Sequence, residues 1–124
     1  MSQTAQFDSP INEYLQHVQK QIRFAKEPDN PSLISHYLDI DTCRQKSVES
    51  LKQHYERQFR LLLDTVADEL IPSHWRCCCL DNINKPLGQL ARLFANNQDG
   101  QAYLCKLKYE LNMTCHYVLS GLSR

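Results

Sequence analysis

One apolar stripe determines the fold class that this sequence predicts. It lies in residues 48–70, VESLKQHYERQFRLLLDTVADEL, where apolar side chains recur at steps of three and four residues: Val48, Leu51, Tyr55, Phe59, Leu62, Val66 and Leu70. This spacing keeps them on one face of an α-helix. No stretch alternates apolar and polar residues for long enough to indicate a strand. We therefore predict an all-α protein, with a long central helix over about residues 42–71.

Prolines and glycines divide the rest of the chain into further helical segments. Ser9 followed by Pro10 resembles a helix cap and first turn, and Pro31 and Pro86 open two later helices. Residues 81–85 and 96–100 read as a loop and a turn. Because the connections are short, we predict a compact antiparallel bundle of five or six helices over residues 10–122. Residues 1–9 are predicted to form a flexible N-terminal tail.

Charge and hydropathy argue against two classes of partner. The 124 residues carry 14 basic and 14 acidic side chains, and each half of the chain is balanced as well. Nucleic-acid binders concentrate lysine and arginine, so balance argues against a nucleic-acid partner. No apolar run approaches the roughly 20 residues of a membrane span, and we expect no membrane contact. The N-terminus lacks a signal-peptide pattern, and six cysteines then point to the reducing cytoplasm.

The sequence shows no motif of a known catalytic centre. It contains no phosphate-binding glycine loop, no nucleophile elbow and no serine, histidine and aspartate set with a telling spacing. We therefore predict a protein that is not an enzyme and that needs no cofactor.

The main functional prediction is a surface for protein contacts. Phe24 lies opposite the apolar stripe of the first helix, Leu61 and Leu63 widen the central stripe, and Tyr109 lies off the stripe of the last helix. A central helix of about 45 Å would also extend beyond one domain. We predict a non-catalytic adaptor, regulatory or chaperone-like protein that binds a protein partner and forms homodimers. The predicted contact residues are Phe24, Tyr55, Phe59, Arg60 and Leu63.

A first alternative is a thiol-based metal or redox sensor. It would be centred on His74, Cys77, Cys78 and Cys79, whose imidazole and thiolates suit zinc or copper. Cys115 with His116, or Cys43, could complete a tetrahedral set. A helix N-terminus and the neighbouring Arg76 would each lower the pKa of a thiol there. The paired C-x₂-C pattern of structural zinc sites is absent from the sequence. Buried free cysteine is the simpler explanation.

A second alternative is a DNA-binding regulator that uses residues 86–118 as a helix-turn-helix. The exposed side of its second helix would then offer Lys106, Tyr109, Asn112 and Met113 to a groove. An ordinary pair of antiparallel helices explains the same pattern.

Overall fold

The all-α prediction is confirmed. The computed structural model describes residues 2–40 and 47–122 and places six helices in them. The helices are α1 (Ser2–Arg23), α2 (Ser32–Asp39), α3 (Val48–Ala67), α4 (Ser73–Asn82), α5 (Asn84–Leu93) and α6 (Gln98–Leu122). Over the described ranges there is no strand.

Helix α3 lies at the centre of the bundle, as its apolar stripe predicts. It packs against α1, α4, α5 and α6, and Phe59, Leu62 and Val66 on its stripe have no exposed surface. Burying a large apolar side chain contributes about 1.5–3 kcal/mol to stability. Among the described helices, α3 therefore contributes the most to the core through this stripe.

Helix α3 is shorter than predicted because polar side chains end it on both sides. The Ser47 hydroxyl accepts a hydrogen bond from the Ser50 N–H at 3.0 Å, which fixes the first turn, and the helix stops at Ala67. Most of the predicted N-terminal extension, residues 42–46, lies outside the described residues. The 20 residues span about 30 Å rather than 45 Å. The length of this helix therefore no longer argues for an interface.

Three other predicted boundaries are wrong. Helix α1 begins at Ser2 and contains Pro10. Helix α4 ends at Asn82 and α5 begins at Asn84, so the buried residue Ile83 alone separates them and there is no loop at 81–85. Helix α6 begins at Gln98 and includes Gly100, where a Cβ would collide with the ring of Phe94. The flexibility of residues 1–9 and the domain limits 10–122 stay predictions.

Cross-helix contacts give the direction of the last two helices relative to α3. The Lys52 ammonium lies 4.6 Å from the centre of the Phe94 ring. Lys52 is in the N-terminal part of α3 and Phe94 follows the C-terminal end of α5, so α5 runs antiparallel to α3. Arg60 contacts Glu110, and Tyr117 contacts Glu69 further along, so α6 runs parallel to α3. Helix α6 packs on α3 and α5 with one side only, which leaves its opposite side outside the bundle.

Buried polar side chains connect the helices by hydrogen bonds to backbone carbonyls. The Trp75 indole N–H donates to the Ile22 carbonyl at 2.8 Å, and the Arg76 Nε–H donates to the Val66 carbonyl at 2.9 Å. An unmade buried hydrogen bond costs about 1–3 kcal/mol, so these contacts fix how α4 sits on α1 and α3.

We expect Phe59→Ala to lower the free energy of unfolding by about 3–5 kcal/mol, because it opens a cavity at a fully buried position. Val48→Ala, at an exposed position of the same helix, should change it by less than about 0.5 kcal/mol. Urea unfolding followed by circular dichroism measures both. Equal losses in the two variants would contradict the central position of Phe59.

Candidate protein-interaction surface

The structure corrects most of the predicted contact residues. Phe24 is exposed, but Tyr55, Phe59 and Leu63 are buried in the core. These three side chains do not belong to the exposed surface of the folded chain, because four helices pack against α3 and cover them, and their role in partner binding stays a prediction. The wide apolar stripe of α3, which predicted an interface, instead contacts several helices within the bundle.

Arg60, the fifth predicted contact residue, is engaged inside the bundle. Its guanidinium donates two hydrogen bonds to the Glu110 carboxylate, one of them at 3.0 Å, and joins α3 to α6. The side chain remains about two-fifths exposed at the edge of a groove of about 560 Å³. The groove is also lined by Gln19, Gln53, Glu56, Arg57 and Leu61.

The Tyr103 hydroxyl adjoins this ion pair. It is buried and has no hydrogen-bond partner among the described residues. Burial raises its pKa, and the nearby Glu56 carboxylate raises it further, so this phenol stays protonated. Because the Arg60 guanidinium is already paired with Glu110, the cluster reads as a structural contact between α3 and α6.

The predicted metal set is not brought together. Consecutive residues of a helix point in different directions, about 100° apart, and Cys77 is exposed, Cys78 half-buried and Cys79 fully buried. The His74 imidazole instead lies 3.0 Å from the Pro28 carbonyl oxygen. Within residues 2–40 and 47–122, no three or more His, Cys, Asp or Glu side chains are placed to hold a metal ion.

The other residues proposed to complete the metal site do not support it. Cys43 lies outside the described residues. On α6, Cys115 is half-buried and the neighbouring His116 is exposed.

Electrostatics at the cysteines run opposite to the redox prediction. Burial raises the pKa of Cys79 to about 12 and also raises that of Cys78, where Asp81 adds to the effect. Arg76 does not activate them, because its guanidinium is buried and donates to the Val66 carbonyl. A raised pKa removes the thiolate, which is the reactive and metal-binding form.

The outer side of α6 carries a second apolar stripe, away from the core. Tyr109, Met113 and Tyr117 are exposed and follow one another at steps of four residues, so they share one side of the helix over about 12 Å. The buried Leu107 and Leu111 each lie about 160° around the helix from Tyr109. We call these three exposed residues the outer stripe.

Phe24 is exposed because of how α1 ends. The Ala25 N–H donates to the Ile22 carbonyl and the Lys26 N–H donates to the Gln21 carbonyl, which together form a Schellman motif. Ala25 takes the left-handed conformation, φ 50°, that glycine usually supplies, and its methyl group is buried. The turn directs Ala25 inward and leaves Phe24 on the surface beside the Arg23 guanidinium.

Leu70 is exposed because Asp68 folds the chain after α3. One Asp68 carboxylate oxygen accepts the Leu70 N–H at 2.9 Å, and the next residue, Ile71, takes the buried position. The other oxygen accepts from the Arg23 guanidinium at 2.7 Å. Both hydrogen bonds hold the pKa of Asp68 below its usual range, and the one from Arg23 has the larger effect.

Contacts of neighbouring residues link these exposed side chains, which together we call the apolar surface: Phe24, Leu70 and the outer stripe. The Arg23–Asp68 pair connects Phe24 to the Leu70 turn, and the Tyr117 hydroxyl donates to Glu69, next to Leu70, at 3.1 Å. Exposed fractions run from 53% for Met113 to 92% for Leu70. Large exposed apolar patches on soluble proteins mark interaction sites.

Sequence reasoning missed part of this surface. Leu70 was assigned to the buried stripe of α3, Met113 was considered only as a DNA contact, and Tyr117 was not singled out. The step of four from Tyr109 to Met113 to Tyr117, opposite Leu107 and Leu111, was the available signal. For Leu70 the signal was weaker, because only the position of Asp68 marks the turn.

Residues 86–118, predicted in the DNA-binding alternative to form a helix-turn-helix, lie in α5 and α6, which are joined by residues 94–97. On α6, Lys106 and Lys108 are exposed and could contact a nucleic acid. The outer stripe between the charged positions of this helix is apolar. No family model, curated protein or solved structure matches this chain. Across the described residues, no helix is both long enough and apolar enough to cross a lipid bilayer.

We expect the buried thiol of Cys79 to resist alkylation that modifies the exposed thiols of Cys77 and Cys105. At pH 8 a thiol of pKa about 12 is almost entirely protonated. The Cys79 side chain is also buried, so the reagent does not reach it. Iodoacetamide labelling followed by mass spectrometry, with and without urea, measures this. Equal labelling of Cys77 and Cys79 in the folded protein would restore the redox alternative.

We also expect the Arg60–Glu110 pair to make stability depend on acidity. Arg60 holds the pKa of Glu110 below 4.5, so its contribution is present above that value and is lost as the pH falls through the lower pKa of the folded state.

In Glu110→Gln, unfolding free energies measured in urea from pH 7 to pH 3 should fall less steeply than in the wild type. Asp64→Asn, at an exposed carboxylate of α3, is the matched control. A pH dependence unchanged in Glu110→Gln would exclude this contribution.

Proposed function

We propose that this chain is a non-catalytic adaptor, regulatory or chaperone-like protein that binds a protein partner through the apolar surface. The observation that carries the proposal is the exposure of five large apolar side chains in one connected region. Aromatic side chains and methionine are enriched at protein interfaces, and tyrosine is frequent among the residues that dominate binding energy.

The charges around this surface indicate the chemistry of the partner. The Arg23 and Asp68 side chains neutralise each other, and Glu69 is hydrogen-bonded to Tyr117. A partner therefore meets an apolar centre in which Arg23 and Asp68 are paired with each other and Glu69 keeps its charge. We expect it to present apolar or aromatic side chains, with polar groups only at the edge of the contact.

Two features weigh against the alternative functions. The raised pKa of Cys78 and Cys79 disfavours a thiol sensor. The three residues of the outer stripe include no arginine, lysine, asparagine or glutamine, the side chains that most often pair with base edges. Neither feature argues against a protein partner.

We expect Phe24→Asp and Leu70→Asp to abolish partner binding, because each places a carboxylate in the apolar surface. Affinity purification from the native host, followed by mass spectrometry, should recover proteins with the wild type that both variants fail to recover.

Val48→Asp is the matched control. It also replaces an exposed apolar residue by aspartate, but at the opposite end of α3 from Leu70. It should retain the same partners. If all three variants recover the wild-type set, or all three lose it, the apolar surface is not the binding site.

A further inference from the structure

We propose that the outer stripe of α6 pairs antiparallel with the same stripe of a second copy of this chain. This inference rests on the proposed function and names the partner of one part of the apolar surface. Phe24 and Leu70 are not part of this pairing and stay available to a different protein.

The positions of two charged residues carry the inference. Lys106 lies one turn before Tyr109, at the N-terminal end of the outer stripe, and one turn before Glu110, which is bonded to Arg60 of α3. Lys106 therefore lies on the flank of the stripe nearest α3. Glu69 follows α3 and contacts Tyr117, so it lies on the same flank at the other end.

A two-fold axis at Met113 brings these opposite charges together. In an antiparallel pair about this axis, Tyr109 faces Tyr117 of the second copy, and the flank nearest α3 is shared by both helices. Each Lys106 then approaches Glu69 of the other copy, which gives two equivalent ion pairs. In a parallel pair each Lys106 would lie level with the Lys106 of the second copy on the opposite flank, and neither would meet Glu69, so charge complementarity selects the antiparallel arrangement.

The size of the stripe sets the expected strength. Stable interfaces bury about 1,200–2,000 Å² in total, whereas each fully buried aromatic side chain supplies about 150–250 Å². Two stripes, each with two tyrosines and one methionine that are already partly covered, fall below this range, where weak and transient contacts lie. We therefore expect a reversible dimer with a dissociation constant in the micromolar range.

The test is sedimentation velocity of the full chain over about 1–300 μM. The wild type should shift from monomer to dimer within this range. Lys106→Glu and Glu69→Lys should each weaken the dimer about tenfold, because each turns two attractive pairs into repulsive ones. The double variant should recover most of the wild-type affinity.

Lys108→Glu is the matched control, since it makes the same charge change at an exposed residue on the other flank of α6. Its dimer should have the wild-type affinity. Circular dichroism of every variant checks that the fold is kept. Equal weakening by Lys106→Glu and Lys108→Glu, or no recovery in the double variant, would overturn the antiparallel pair.

A third outcome separates this inference from the proposed function. A wild type that stays monomeric at 300 μM would overturn the dimer. If Phe24→Asp and Leu70→Asp still lost a native partner that Val48→Asp retained, the proposed function would stand without it. Loss of no partner, together with a normal dimer, would leave self-association as the use of this surface.

Discussion

The whole arrangement depends on the enclosure of α3. Phe59, Leu62 and Val66 must lose contact with water, and a single helix can cover only one side of another. Helices α1, α4, α5 and α6 therefore all pack against α3. Apolar residues on the far side of an outer helix from α3 can therefore stay exposed. The outer stripe of α6 is such a remainder.

Asp68 connects the end of this core to the surface. Its carboxylate accepts from the Arg23 guanidinium and from the Leu70 N–H, so one residue joins α1 to the turn after α3 and directs Leu70 outward. With Leu70 turned away, Ile71 occupies the core. A short polar turn thus decides which of two adjacent apolar residues stabilises the fold and which remains on the surface.

The sequence predicted the fold class and the central stripe because spacing on one helix is a local property. It could not show that Tyr55 and Leu63 are covered, since coverage depends on how many neighbours pack around α3. Nor could spacing show that Ala25 adopts a left-handed conformation, a role that usually falls to glycine. The boundaries at 81–85 and 96–100 failed for a related reason: tertiary contacts of Ile83 and Gly100 outweighed the local turn signals.

The outer stripe is better explained by recognition than by chance exposure. Scattered exposed apolar residues are common, but these three share one side of a helix at steps of four, opposite an equally regular buried stripe. Stability of the bundle does not require this second pattern, because the buried stripe alone attaches α6 to α3 and α5. Lys106 and Glu69 then give the stripe opposite charges at its two ends. A second copy turned end for end satisfies both the apolar and the charged pattern with one contact.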